Sequence, residues 1–219
     1  MNQEFLNKGH IVIPNVFTED EIATMRNLAI SYFKNGGGFE NAGGFAKPDY
    51  IKEDSLHPIY ELIQSKNLES LIQELIGDPV EFVGHNDLHM NRSVGWHKDR
   101  LNGDSRVFEI HSPWDIVDGD SMKIYKVNIY LQDHSTNNDA LIVKEGNHTS
   151  KNMNDGSDVV VNPSVGDVVI FDQRINHKAT HSGGYDRVLI CMGYGVKNIF
   201  FDEFKAGTEY RQNKQNKKL

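Results

Sequence analysis

The chain has 219 residues and carries 23 Lys and Arg against 31 Asp and Glu, a formal net charge of −8. Such an acidic chain lacks the basic footprint of sequence-independent nucleic-acid binding, and no apolar run nears the roughly 18 residues of a membrane span. The length suits one domain over 1–219, since all-β barrels of this size are commonly single.

The lone cysteine, Cys191, cannot form an internal disulfide, which fits a reducing cytoplasm. The opening Met-Asn-Gln-Glu-Phe-Leu-Asn-Lys lacks the apolar core of a signal peptide. The glycosylation-type patterns at Asn91 and Asn147 are therefore read as chance, and a cytoplasmic location is expected.

Gly9-His-Ile-Val-Ile-Pro14 reads as a short strand stopped by its proline. Thr18-Glu-Asp-Glu21 is a capping box, followed by Ile22, Met25, Leu28, Ala29 and Phe33 at helical spacing. Residues 36–44 hold five glycines and read as a mobile loop, either a surface connector or a lid. A second helical region spans 55–76, with a break near 65–67, and Gly77-Asp-Pro79 ends it.

From Val80 onward the pattern changes to strands. Residues 123–133 alternate with period two, and further strands are expected at 80–83, 87–91, 140–144, 159–161, 167–176 and 188–194. Residues 101–121 are polar and turn-rich and read as an excursion. The tail from Tyr210 is polar, lysine-rich and expected to fray. Helices first and about eight strands after predict a mainly β fold. The best match is a double-stranded β-helix (a cupin-like jelly roll) with a helical layer at about 18–76, a barrel at about 80–196 and a polar C-terminal tail.

The chemistry-bearing stretch is Gly95-Trp-His-Lys-Asp-Arg100. On an extended chain residues i and i+2 share a face, so His97 and Asp99 project side by side. They form two thirds of a 2-His-1-carboxylate facial triad, the set that leaves open positions on Fe(II). The second histidine should end a later strand. His177 does so, whereas His181 sits in a Thr-His-Ser-Gly-Gly turn where a ligand would be poorly fixed. Arg187 opens the next strand. If the two strands are antiparallel neighbours, Arg187 lies close to His177 and offers a carboxylate a bidentate grip.

Taken in order, Gly-Trp-His97-Lys-Asp99, Tyr-Leu-Gln-Asp-His, Glu-Gly-Asn-His148, Gly-Asp-Val-Val-Ile-Phe-Asp-Gln-Arg-Ile-Asn-His177 and Arg187 resemble the phytanoyl-CoA dioxygenase family. The opening Gly-His-Ile-Val-Ile-Pro-Asn-Val-Phe-Thr-Glu-Asp-Glu-Ile is similar to that family's first strand and helix, so the resemblance runs over about 5–194. It implies a double-stranded β-helix that binds Fe(II) and 2-oxoglutarate and uses O₂ to oxidise a small organic substrate, releasing succinate and CO₂.

By the same resemblance His97, Asp99 and His177 would hold iron, and Arg187 the distal carboxylate of 2-oxoglutarate. Thr180 stands in for a small or hydroxyl residue that family members carry shortly after the second histidine, at a different offset. Asn91 is a further expected cosubstrate contact. Related halogenases replace the carboxylate ligand by a small residue, so Asp99 favours hydroxylation, desaturation or another oxidative outcome.

His85, His89, His111, His134 and His148 are expected to be satisfied polar or core histidines, with His89 the best placed to line the site. Arg92, Arg100, Arg106 and Trp114 flank the expected mouth and would suit an anionic small-molecule substrate. Two other readings compete: a non-catalytic cupin-like binder of a small molecule or metal, and an Fe(II) oxygenase independent of 2-oxoglutarate. Arg187 discriminates against the second.

Overall fold

The computed structural model describes residues 2–99 and 122–216; Arg100 and the 101–121 excursion, with Arg106, His111 and Trp114, lie outside the described residues. The chain opens with α1 (Gln3–Lys8), β1 (His10–Ile13) and α2 (Glu19–Lys34). Thr18 accepts from the Glu21 amide while the Glu21 carboxylate accepts from the Thr18 amide, completing the expected capping box.

Ile22, Met25, Ala29 and Phe33 of α2 are all buried. Each large apolar side chain so buried stabilises the fold by about 1.5–3 kcal/mol.

The glycine-rich segment is a hairpin rather than an irregular loop. β2 (Phe39–Asn41) pairs antiparallel with β3 (Gly44–Pro48), and Ala42 and Gly43 turn between them with φ of 50° and 78°. Two successive positive φ values make the tight two-residue turn that matches strand twist. A Cβ on Gly44 would strike the Met90 carbonyl, so the glycine lets β3 close onto its neighbour.

α3 (His57–Gln64) and α4 (Leu68–Ile76) are separated where the sequence predicts a break. Asn67 takes a left-handed conformation between them, and left-handed Gly77 caps α4.

The strands follow: β4 (Glu81–Met90), β5 (Val94–His97), β6 (Ile124–Tyr130), β7 (Leu141–Glu145), β8 (Ser157–Val161), β9 (Val168–Asp172), β10 (His177–Ala179) and β11 (Val188–Gly195). They form a seven-stranded sheet ordered β1-β9-β6-β11-β4-β3-β2 and a four-stranded sheet ordered β5-β10-β7-β8. This is a mainly β, double-stranded β-helix fold with helices packed on the larger sheet. The main apolar core joins α2, α3 and α4 to the outer face of that sheet, through residues such as Leu88, Val127, Ile170 and Ile190.

Two expectations need correction. The segment 167–176 is not one strand: β9 stops at Asp172, whose carboxylate accepts from the Arg174 amide and guanidinium. That local turn carries the chain from the large sheet to the small one, where His177 starts β10. The C-terminal tail does not fray from Tyr210. Ile199–Asn216 forms helix α5, buries Phe201, Phe204, Gly207, Thr208 and Gln212, and packs on β4.

Candidate metal centre and cavity

The inner face of the large sheet is the floor of the site. Asp87 on β4 is the Cα partner of Cys191 on β11, itself the partner of Asn128 on β6; His89, Leu189 and Tyr130 form the next row. Strand alternation turns His85, Asp87 and His89 inward and sends Leu88 and Met90 to the helical core. A cavity of about 320 Å³ lies between this floor and the small sheet, and His97, Asp99, His177 and Arg187 all line it.

His97, Asp99 and His177 converge, with one potential ligand atom from each inside a 4.8 Å span. His97 and His177 are Cα partners of β5 and β10, while Asp99 follows β5 in the next turn. The His97 Nδ1 pairs with the Gly95 carbonyl at 2.8 Å and the His177 Nδ1 with the Ile175 carbonyl at 3.0 Å. Both bonds leave Nε2 for the centre, and that of His97 lies 3.6 Å from Asp99 Oδ1.

Burial pushes His177 down to about 4, so its imidazole is neutral and ready to donate a lone pair. Burial would also lower His97, but the Asp99 carboxylate outweighs it and holds His97 above its ordinary value. A metal would take the place of that proton. Burial alone would raise Asp99; Lys126 and the two histidines instead hold its carboxyl well below the usual range. Two imidazoles and one ionised carboxylate on one side of a cavity fit a non-haem Fe(II) ion with open positions.

Three polar side chains that the sequence reading passed over, Lys126, Asp87 and Arg211, join this centre together with His85. Lys126 Nζ lies 3.5 Å from Asp99 Oδ2 and 3.0 Å from His85 Nε2. Arg211 Nη2 of α5 lies 3.1 Å from His85 Nδ1, and the guanidinium grips Asp87 through two bonds of 2.9 and 3.0 Å. The chain Asp99–Lys126–His85–Arg211–Asp87 therefore ties the metal centre to the last helix.

The one sequence signal was Lys126 itself, a charge inside a seven-residue strand buried throughout. Gln173 also lines the cavity, and neither its side-chain nitrogen nor its oxygen has a partner among the described residues.

Arg187 is 1% exposed and is held by the Asp139 and Ala140 carbonyls, at 2.7 and 2.8 Å. Its guanidinium lies 5.4 Å from the Tyr130 ring centre. Among the described residues no carboxylate pairs with it. Arg187 is not a ladder neighbour of His177, contrary to the sequence expectation: β11 pairs with β4 and β6, whereas β10 pairs with β5 and β7. His177 starts β10 of the small sheet, Arg187 immediately precedes β11 of the large one, and both line the cavity.

Asn91 and Thr180 do not line the cavity. The Asn91 carboxamide accepts from the Arg187 amide at 2.7 Å and donates to Asp186, so it fixes the start of β11. Thr180 is exposed, and its hydroxyl donates to the Asn138 carbonyl. Ala179 lines the wall beside it. His181 stays outside the ligand cluster, its amide bonded to Ser93.

His134 is satisfied by Gln132 and Asn137, whereas His148 reaches the Leu6 carbonyl through Nε2 and its buried Nδ1 has no partner among the described residues. His85 and His89 both line the cavity.

No family model matches this chain, and no curated protein matches it by sequence. Its fold is shared with solved structures. AviO1 from Streptomyces viridochromogenes Tue57 superposes with a TM-score of 0.68 at 22% identity, covering 88% of this chain and 92% of that one. HygX from Streptomyces hygroscopicus, with nickel and 2-oxoglutarate bound, gives 0.67 at 16% identity over 90% and 87%. The epimerase SnoN, in complex with Fe³⁺, alpha ketoglutarate and nogalamycin RO, gives 0.70 at 13% identity over 89% and 81%.

Proposed function

We propose that this chain is an Fe(II)- and 2-oxoglutarate-dependent oxygenase that hydroxylates a small organic molecule. One relationship carries the reading: His97, Asp99 and His177 converge in the cavity, and Arg187, buried without a carboxylate partner among the described residues, lines the same cavity. The fold-mates HygX and SnoN, which hold nickel or iron with 2-oxoglutarate, support it.

His97, Asp99 and His177 would hold the metal, which when bound supplies O₂ activation coupled to decarboxylation of 2-oxoglutarate to succinate and CO₂. Arg187 would receive the distal carboxylate. Its position is set beforehand by two backbone carbonyls, so little side-chain freedom is lost on binding. The floor of β4, β6 and β11, with α5 beside it, orients the substrate and keeps bulk water from the reacting carbon.

Asp99 occupies the ligand position that a chloride would otherwise need, which favours oxygen transfer over halogenation. A cytoplasmic site of action fits the free Cys191.

The test is anaerobic addition of Fe(II) and 2-oxoglutarate. A visible charge-transfer band and, in air, slow succinate release are expected; absence of both sinks the proposal. Product mass then separates the outcomes: one oxygen gained for hydroxylation, two hydrogens lost for desaturation, no change for epimerisation. A keto-acid-independent oxygenase has no use for a carboxylate anchor at Arg187; a passive cupin-like binder would take up metal and 2-oxoglutarate without releasing succinate in air.

A further inference from the structure

Among the described residues, the cavity is lined by four basic side chains, Arg92, Lys126, Arg187 and Arg211, against two carboxylates, Asp87 and Asp99. Asp87 is taken by Arg211, and Asp99 by Lys126 and the metal. The two positive charges of Fe(II) and the two negative charges of 2-oxoglutarate cancel. The loaded cavity therefore keeps a surplus of two positive charges. The histidines add nothing to it, since burial holds both His85 and His89 well below the usual histidine range and so neutral.

Arg187 is assigned to the cosubstrate, which leaves Arg92 as the guanidinium with no carboxylate bonded to it among the described residues. Arg92 follows β4. Its Nη1 lies 2.7 Å from His89 Nε2 and its Nη2 3.4 Å from Asn41 Oδ1, both neutral partners. Its Nε is buried with no partner among the described residues. A buried donor without an acceptor costs about 1–3 kcal/mol, more when charged, and a charged guanidinium in such a place is matched to an oxyanion. The neighbouring walls carry further idle hydrogen-bonding atoms, Asn128 Oδ1 and both polar atoms of Gln173.

We infer that the primary substrate is a small molecule bearing an oxyanion, a carboxylate or a phosphate, and that Arg92 receives that group. This inference rests on the oxygenase reading for the assignment of Arg187, but its test does not need turnover.

The protein is loaded with Ni(II) and N-oxalylglycine, an unreactive analogue of 2-oxoglutarate. Sodium acetate and sodium phosphate are then titrated at constant ionic strength against chloride, with the unfolding temperature as readout. A saturable rise is expected with one anion or both, and the stronger one tells carboxylate from phosphate. Arg92→Gln should weaken that binding at least tenfold, Arg92→Lys less, and exposed Lys151→Gln not at all.

Three results overturn the inference: no saturable response, an equal response in Arg92→Gln (anion on the metal instead), or competition between the anion and N-oxalylglycine. Failure of N-oxalylglycine to stabilise the Ni(II) protein would count against the oxygenase reading alone. The anion titration run without it still reads Arg92.

Discussion

His97 and His177 are Cα partners across the β5–β10 ladder, and their ring centres lie 4.2 Å apart. A metal held between them would join two strands that are far apart in the chain, with Asp99 closing the third side. Metal binding and stability are therefore coupled. Wild-type protein at about one hundred times the Ni(II) dissociation constant should gain about 2.7 kcal/mol, reversed by a chelator. Asp99→Ala should lose that gain and weaken metal binding beyond the ~10–100-fold typical of outer-sphere changes. Calorimetric metal titration measures both, with far-ultraviolet circular dichroism as the check on folding.

Arg187 supplies the other end of the proposed cosubstrate site. Arg187→Met should raise the apparent dissociation constant of 2-oxoglutarate by about 10–100-fold, the value of a charge-assisted pair of hydrogen bonds. Metal binding should be unchanged, because Arg187 is not in the candidate ligand cluster. Arg187→Lys should fall between the two, since it keeps the charge and loses the fork. The charge-transfer band, titrated with 2-oxoglutarate under nitrogen, reads all three.

The His89 environment predicts a pH dependence. Burial, aided by Arg92, lowers His89 from 6.5 to about 4 in the folded protein. As pH falls the unfolded chain takes up the proton first, so the contribution is complete above 6.5 and is lost between 6.5 and 4. The slope is at most about 1.4 kcal/mol per pH unit, and the whole effect at most about 3 kcal/mol. Urea unfolding of the metal-free protein from pH 4 to 7 should show it, and His89→Gln should flatten that part of the curve.

Arg211 pins α5 to the site. Arg211→Met leaves Asp87, 5% exposed, without its bidentate partner. Breaking a fully buried pair costs about 3–5 kcal/mol; the Arg211 side chain is 33% exposed, so about 2–3 kcal/mol is expected here. Thermal unfolding measures the loss. Limited proteolysis should show new cleavage within Ile199–Asn216, and the double variant Arg211→Met/Asp87→Leu should recover part of the stability.

What the sequence made legible followed from short-range periodicity. The Thr18–Glu21 box, the break at Asn67 and the His97/Asp99 pair are all local patterns, and each has its physical cause within a few residues. The relation of His177 to Arg187 was misplaced because it depends on which sheet each strand joins. The turn that decides this, Asp172 with Arg174, resembles an ordinary strand continuation in sequence.

Helix α5 was missed for a similar reason. Its buried positions include Gly207, Thr208 and Gln212, which carry no apolar signal, and its anchor reaches across to Asp87. Asn91 offered a polar side chain in the expected place, but the chain uses it to set the start of β11.

His97 and His177, the proposed ligand histidines, take their ring orientation from carbonyls of their own backbone, Gly95 and Ile175, each two residues earlier. In many metal sites that task falls to a carboxylate side chain, which a single base change can remove. Here the tautomer is written into the main chain, which point substitution does not delete. The cavity walls are thus free to diversify toward new substrates while the imidazoles keep presenting the same nitrogen.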